Sequence, residues 1–445
     1  MKKYLFLLIA FAALIISIVL TRKDSSPVYK LHERVAAISN SSEWLNTKKA
    51  IETLESEILK NPDNNQVKLK LAQAYIQEGR VTGDHNYYDA MAFKLIHTVL
   101  KKDSENFEAL CCLATLEASA HQFTDALEIC EKAIKINPYN AYIYGVLCDC
   151  HVELGQYNEA VKFADKMVSI RPDIRSYARV SYLREIYGDY PGAIEAMKLA
   201  LSSGYPGLEQ TEWTRVYLGR LYEITGDTKT AEFNYNQALS ARPNYAPALA
   251  GLGNIARGKK NYSEALKYYS KAEKLLQDYS YEQHIAEIYE LNNQKDLASK
   301  AYDKSLEMLI KHQHPTDEET GIGHNIDREL ATVFLSMKEY DKAYKSAMIE
   351  YERRPNNIDV NETLAWACFQ KGLDKEAQYF ILNALKTKSS NAELLCKAGI
   401  IFRKNNHPIV AQQYIDRAFK INPNLNNELA SLVKANKTLV YATDK

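Results

Sequence analysis

Small, apolar and aromatic positions repeat along this chain at a fixed interval of 34 residues, most plainly between Glu212 and Tyr279. Gly219 is followed by Gly253, Ala231 by Ala265, Tyr235 by Tyr269 and Ala238 by Ala272, with Leu218 and Leu252 in the same register. Pro243 falls five residues after Ala238 in the first copy. Lacking an amide proton and clashing with the preceding turn, it ends a helix there. A period of this length marks a supersecondary unit that cannot bury its apolar face alone and shares a core with its neighbours. At 445 residues the chain exceeds one ordinary core. The period selects a stacked repeat over several globular domains.

A small residue at repeat position 8, Ala at 20, an aromatic at 24, Ala at 27 and Pro at 32 resembles the tetratricopeptide repeat, a helix-turn-helix unit. The resemblance implies an all-α solenoid, a right-handed superhelix of paired helices A and B; an N-terminal hydrophobic anchor helix is expected before it from the residues themselves. The register runs over residues 65–425 as about ten repeats. The first shows Leu71, Ala72 and Tyr75, with Gly79 at its turn and about eight extra residues within Arg80 to Met91. The next two are marked by Ala114, Ala126, Ala133 and Pro138, and by Leu147, Gly155, Ala160 and Pro172. A fourth, with Gly188, Ala193 and Ala200, ends in the breaker run Ser202 to Gly207. Beyond the central pair come Tyr289, Ala298 and Tyr302, a longer connection from Lys311 to Gly323, and units marked by Ala343, by Ala365 and Ala377, and by Gly399 and Ala411. Residues 43–64 read as a degenerate N-terminal cap through Ala50, Glu57 and Pro62, and 426–445 as a C-terminal capping helix and tail.

Residues 1–23 place the uncharged run Tyr4 to Leu20 between Lys2–Lys3 and Arg22–Lys23. The run is at the short limit for crossing a bilayer. Bulky Ile18, Val19 and Leu20 stand where a cleavable signal needs small residues, so an uncleaved anchor is expected over a removed signal segment. The lysines bias that end toward the cytoplasm and the repeats to the other side. Residues 24–42 are polar, contain Pro27 and read as a tether.

Charge and chemistry add exclusions. With 56 basic and 56 acidic side chains there is no general electrostatic reason to expect nucleic acid. Five of the seven cysteines fall within Cys111 to Cys150, on expected helices rather than on a zinc-binding turn. They read as buried core thiols, with a Cys130–Cys148 disulfide as the alternative in an oxidising compartment. His312, His314 and His324 with Asp317, Glu318 and Glu319 have ligand chemistry but no fixed spacing, and read as a solvated connector rather than a metal site. No phosphate loop, nucleophile elbow or H-E-x-x-H motif is present, so no catalytic residue is assigned.

By the same resemblance, helix A turns positions 2, 5, 9, 12 and 13 toward the inside of the superhelix. In the central repeats these include Tyr142, Asp149, Arg175, Tyr182, Trp213, Arg220, Glu223, Asn254 and Arg257, joined later by Arg328, Trp366 and Phe369. Trp and Arg are the types most often found at binding hot spots, and the packing pattern asks for neither. These residues form the candidate groove for an extended peptide or partner segment, with ordinary surface decoration as the alternative. The carboxylate clamp of some family members is incomplete: Arg220 and Asn254 stand at position 9, but Val216, Ala250, Gln283 and Glu287 occupy the related places. Two blocks, Tyr177 to Ala200 and Glu352 to Ala377, resemble segments of uncharacterised bacterial repeat proteins and imply a bacterial origin.

The expectation is a membrane-anchored, non-enzymatic scaffold or adaptor with a protein or peptide partner, its repeats periplasmic or otherwise extracytoplasmic, and with no cofactor, metal or nucleic acid. A periplasmic assembly factor or chaperone holding clients transiently is one rival. A metal- or ligand-binding enzyme using the His-rich connector is the rival from another class.

Overall fold

The computed structural model describes residues 31–35, 38, 42–313, 323–425 and 429–433. The expected anchor at 1–23 lies outside them, and among the described residues no helix is long and apolar enough to cross a membrane. Of the expected C-terminal cap, residues 429–433 are helical, with Leu429 and Val433 buried against Cys396, Ile400 and Ile415.

Among the described residues the regular structure is α-helical. A single helix, α1 (Ser42–Lys60), precedes ten helix pairs. The first five are α2 (Asn65–Thr82) with α3 (His85–Leu100), α4 (Phe107–Ser119) with α5 (Phe123–Ile136), α6 (Ala141–Glu153) with α7 (Tyr157–Ile170), α8 (Ile174–Ile186) with α9 (Tyr190–Ser202), and α10 (Glu209–Ile224) with α11 (Thr228–Ala241). The second five are α12 (Ala246–Gly258) with α13 (Tyr262–Glu273), α14 (Tyr279–Leu291) with α15 (Lys295–Gln313), α16 (Asp327–Ser336) with α17 (Tyr340–Arg353), α18 (Ile358–Gln370) with α19 (Asp374–Ala384), and α20 (Ala392–Lys404) with α21 (Pro408–Ile421).

Local chemistry sets the boundaries. Asn64, Asn106, Asn140, Asp173, Asn357 and Asn391 each accept a backbone N–H of the helix A that follows, which satisfies a donor the helix cannot pair itself. Inside a pair, a small residue lets an aromatic ring lie against backbone. A Cβ on Gly219 would stand 2.6 Å from Tyr235 Cε1, and one on Gly253 would stand 2.9 Å from Tyr269 Cε1. First helices of neighbouring pairs approach one another closely, α10 and α12 for example, which puts them on the inside of the curve.

Two details depart from the sequence reading. Gly79 lies inside α2, and the turn is at Gly83, whose left-handed backbone (φ 75°) donates its N–H to the Gly79 carbonyl. The extra residues of this repeat therefore lengthen helices instead of forming a loop. Gly79 is small because α3 crosses close by, a Cβ there coming within 3.1 Å of Asp89 Oδ1. In addition, α15 continues through Lys311 to Gln313, where a connection was expected; residues 314–322, with His314, Asp317, Glu318 and Glu319, lie outside the described residues.

Residues 31–35, within the expected tether, lie against the first repeat. Leu31 joins its apolar core, and Arg34 Nε donates to Glu78 Oε2 at 3.0 Å with both side chains buried. Arg34 also pairs with Glu43 at 3.0 Å and lies over Trp44.

The superhelix closes on itself. Residues 194 to 204 apart in sequence meet along a continuous seam, where the corner between the two helices of one pair touches the loop before a pair one turn later. Arg242 Nη2 donates to Glu43 Oε1 (3.0 Å), His121 Nδ1 to the Asn325 carbonyl (2.8 Å), the Asn357 amide to the Glu153 carbonyl (3.0 Å) and the Ile358 N–H to Tyr157 Oη (2.9 Å). Gly188 packs on Ser390 and Gly226 on Pro423. Two turns thus stack directly on each other, with the first helices on the inside.

Candidate functional site

The expected groove residues lie on the first helices, and most of their polar groups are engaged with a neighbouring repeat or with their own. Asp149 accepts two hydrogen bonds from Arg179, Nε to Oδ1 at 2.9 Å and Nη2 to Oδ2 at 2.5 Å. Arg220 Nη2 donates to both oxygens of Glu185 (2.7 and 2.5 Å) and its guanidinium covers the Tyr217 ring. Arg257 Nη1 donates to Glu287 Oε2 at 2.7 Å. Burial opposes charge on Glu287, but His284, Arg257 and Ser336 outweigh it and hold the carboxyl down at about 2. Lys397 pairs with Glu362 at 2.7 Å, joining the last two helix pairs. Ion pairs therefore join α6 to α8, α8 to α10, α12 to α14 and α18 to α20 along the inner wall.

Glu223 and Asn254 serve inside their own repeats, accepting the hydroxyl hydrogen bonds of Tyr235 (2.7 Å) and Tyr269 (2.5 Å). Burial pushes Glu223 above the usual carboxylate range. Asp149, Arg220, Glu223, Asn254 and Arg257 thus all join helices, a role that the repeat's packing pattern does not ask of its arginines. Opposite charges at inward positions of consecutive repeats, such as Glu185 at position 12 and Arg220 at position 9 of the next, were the available signal. Arg179 was missed because it stands outside the five inward positions.

The aromatic residues are less committed. Trp213 is 38 % exposed, its ring 5.3 Å from Tyr217. Arg175 lies 5.8 Å over the Tyr142 ring, and the Tyr142 hydroxyl is 2.6 Å from Thr115 Oγ1. Tyr182 is half-buried, and burial raises its hydroxyl well above the ordinary range. Trp366 and Phe369 stack on each other at 5.0 Å and join the last two apolar clusters, so packing takes much of their surface.

Arg328 differs from the other cations. Its nearest carboxylate, Asp359, is 4.0 Å away and its buried Nε has no hydrogen-bond partner. It lines a cavity of about 350 Å³ between the two turns, with Tyr142, Asp149, Glu153 and Arg179 from the first turn and Glu329 and Arg354 from the second. Burial raises Glu153 against the opposing field of Arg354, with which it forms an ion pair across the seam.

Among the described residues no group of three or more His, Cys, Asp and Glu side chains is arranged to hold a metal ion. His324 lies 6.3 Å ring to ring from His85, away from any such group. All seven cysteines are free and buried, Cys130 and Cys148 included. Burial pushes the Cys111 and Cys112 thiols up to about 12 and about 11, which leaves them protonated and poor nucleophiles.

Family models of the tetratricopeptide repeat match residues 117–185 and 218–280. Over 149 residues the chain is 22 % identical to anaphase-promoting complex subunit 3 of Schizosaccharomyces pombe, covering 33 % of this chain and 22 % of that protein. Over 71 residues it is 37 % identical to small glutamine-rich tetratricopeptide repeat-containing protein 2 of Saccharomyces cerevisiae, covering 16 % of this chain and 20 % of that one. The chain thus spans about a fifth of the length of these curated relatives. A thermophilic repeat protein from Thermus thermophilus shares 21 % identity over 45 % of this chain and 98 % of its own, with a TM-score of 0.37. The two matched segments carry tetratricopeptide repeats, and helix pairs of the same kind continue on either side of them among the described residues.

Proposed function

We propose that this protein is a non-enzymatic scaffold or adaptor that holds a segment of a partner protein against its inner wall. Repeats of this type generally act as protein-interaction scaffolds and are typically non-catalytic. The observation that carries the reading here is the division of labour on that wall. Its cations are largely occupied by neighbouring repeats, whereas the Trp213 face remains open to solvent. Large aromatic faces with little left to do for the fold are what binding hot spots are made of.

A photo-crosslinking residue at Trp213 or Tyr182, used in native membranes, is expected to capture the same partner at a defined stoichiometry. One at Phe233, exposed on the outer helix α11, is expected to miss it. Capture of many unrelated chains favours a transient chaperone, and equal capture from Phe233 contradicts the inner-wall reading.

The proposal includes an uncleaved anchor at residues 1–23 that places the repeats on the extracytoplasmic side, from the lysine asymmetry. Because residues 31–35 already pack on the first repeat, only residues 24–30 separate anchor and superhelix, at most about 25 Å of extended chain. The superhelix is then held near the bilayer.

A further inference from the structure

The fourth repeat is underfilled on the outer side of the superhelix. Two positions fill the space where a helix pair meets the second helix of the pair before it: the third residue after the small residue of the first helix, and the third after the alanine of the second. In the third repeat these are His151 and Phe163, whose rings stack at 5.0 Å, with Tyr144 6.2 Å from Phe163 on the same first helix as His151. In the ninth, Phe380 meets Tyr351 of the preceding second helix at 5.1 Å. All repeats but the fourth place Leu, Ile or an aromatic residue at one or both positions, Tyr289 and Phe334 at the first and Tyr268 and Tyr414 at the second among them. The fourth has Arg184 and Ala196.

What is left there is a cavity of about 410 Å³ bounded by α7, α8 and α9. Val168 lines it from α7, Tyr177 and Val180 from α8, and Ala196 and Leu199 from α9, with Leu199 46 % exposed. Val168 and Val180 join none of the apolar clusters of the described residues, although protein interiors are otherwise close-packed. Tyr177 stands where the third repeat has Tyr144, the ring against which Phe163 stacks. The cavity is therefore a seat for a ring that its own repeat does not supply. Its rim selects a charge as well. Asp165 on α7 and Glu195 on α9 are exposed and form no ion pair, whereas Arg184 is shared with Asp189 at 3.4 Å. The balance is negative and favours a cation beside the ring.

We propose that this outer cavity of the fourth repeat receives an aromatic side chain of a partner protein, with a lysine or arginine of that partner next to it, in the place that Phe163 fills for the third repeat. The site is formed by the outer helices α7 and α9 and the back of α8, and it stands whether or not a segment binds the inner wall.

The probe is 2-phenylethylamine, titrated into the full chain with methyl-labelled valine and leucine. Saturable shifts of the Val180 and Leu199 methyl signals are expected. Ala196→Phe supplies the missing ring from the chain itself and should weaken binding at least about tenfold, because an anchor ring needs an empty pocket. Leu199→Lys, at an exposed position, copies Lys166 of the third repeat and should repel the amine; it keeps the test standing if Ala196→Phe does not fold. 3-Phenylpropionate carries the same ring with the opposite charge and should bind about threefold more weakly, the size of an exposed charge contact. Absence of saturable shifts, a response unchanged in both variants, or equal binding of the propionate overturns the inference. For the partner itself, a photo-crosslinking residue at Ser169, exposed on the rim, should capture another protein in cells and lose about nine-tenths of that capture in Ala196→Phe. Capture of a second copy of this chain, or capture indifferent to Ala196→Phe, contradicts it.

Discussion

The corners of the first turn and those of the second hold the same backbone shape with different residues. In the first, Gly83, Gly155, Gly188 and Gly226 adopt left-handed φ values of 71° to 85°. In the second, the equivalent places are held by Lys260, Asn293, Lys338 and Asn406 at φ 59° to 62°, and by Gly372 at 77°. The difference is what lies beyond. A Cβ on Gly83 would stand 2.5 Å from the Gln277 carbonyl oxygen, one on Gly188 2.6 Å from Ser390 Oγ, and one on Gly155 would overlap the Asn356 carbonyl. Around Gly372 nothing comes within 4 Å. The left-handed conformation alone is tolerated by Asn and Lys; glycine is demanded where another turn of the same chain packs on the corner. His121, left-handed at φ 59° in the first turn, meets the seam with its side chain instead, donating to the Asn325 carbonyl.

The strongest way to break this comparison is at the start of the seam, where Arg34 supports both Glu43 and the fully buried Glu78. Arg34→Met leaves the Glu78 carboxylate buried without its cation and should cost roughly 3–5 kcal/mol, read as lost hydrogen-exchange protection in α1 and α2. Next comes the pair that isolates the seam itself. Gly155→Ala combines left-handed strain of about 1–2 kcal/mol with overlap of about 1–3 kcal/mol, whereas Gly372→Ala should show the strain alone. Exchange rates near 153–158 and 356–360 should rise in the first variant and stay unchanged in the second; equal effects would remove the seam from the explanation. Gly253→Leu, which drives a side chain into Tyr269 inside one repeat, should cost about 1–3 kcal/mol in α12 and α13 and leave the seam intact.

The smallest expected effect is in pH dependence, where one buried carboxyl from each turn, Glu117 and Glu287, differ in sign. Burial, with the Asp125 carboxylate adding to it, pushes Glu117 on α4 up to about 7. Its folded-state value lies above that of an unfolded chain, so α4 should be best protected below about pH 4.3 and lose protection as pH rises toward 7. Glu287 on α14 is held down at about 2, so its contribution is complete above about pH 4.3 and is lost as pH falls toward 2. Exchange protection, corrected for intrinsic rates, should therefore move in opposite directions in α4 and α14 as the protein is acidified. Parallel changes would contradict both assignments.

Much of this fold was legible because each repeat writes its packing locally. Gly219, Ala231 and Tyr235 are close in sequence and in space, and their period carries the rest. Gly79 misled because a glycine allows both a turn and a close helix crossing, and only the path of α3 distinguishes them. The seam was not legible, because it depends on small rotations accumulated over about six repeats. Its trace, glycine at first-turn corners and Lys or Asn at second-turn corners, acquires meaning only when residues 200 apart are known to meet. The inner wall was half legible. The aromatic candidates Trp213 and Tyr182 remain available, but a sequence cannot show that Arg220 is already spent on Glu185.

The central claim is that the two turns touch. Spin labels at Gln156 and Asn356, both exposed and beside the Gly155 contact, measure it directly by pulsed dipolar spectroscopy in the full-length protein. A closed seam predicts one narrow population at the short limit of the method, and a broad distribution at long distance would show that the superhelix is open.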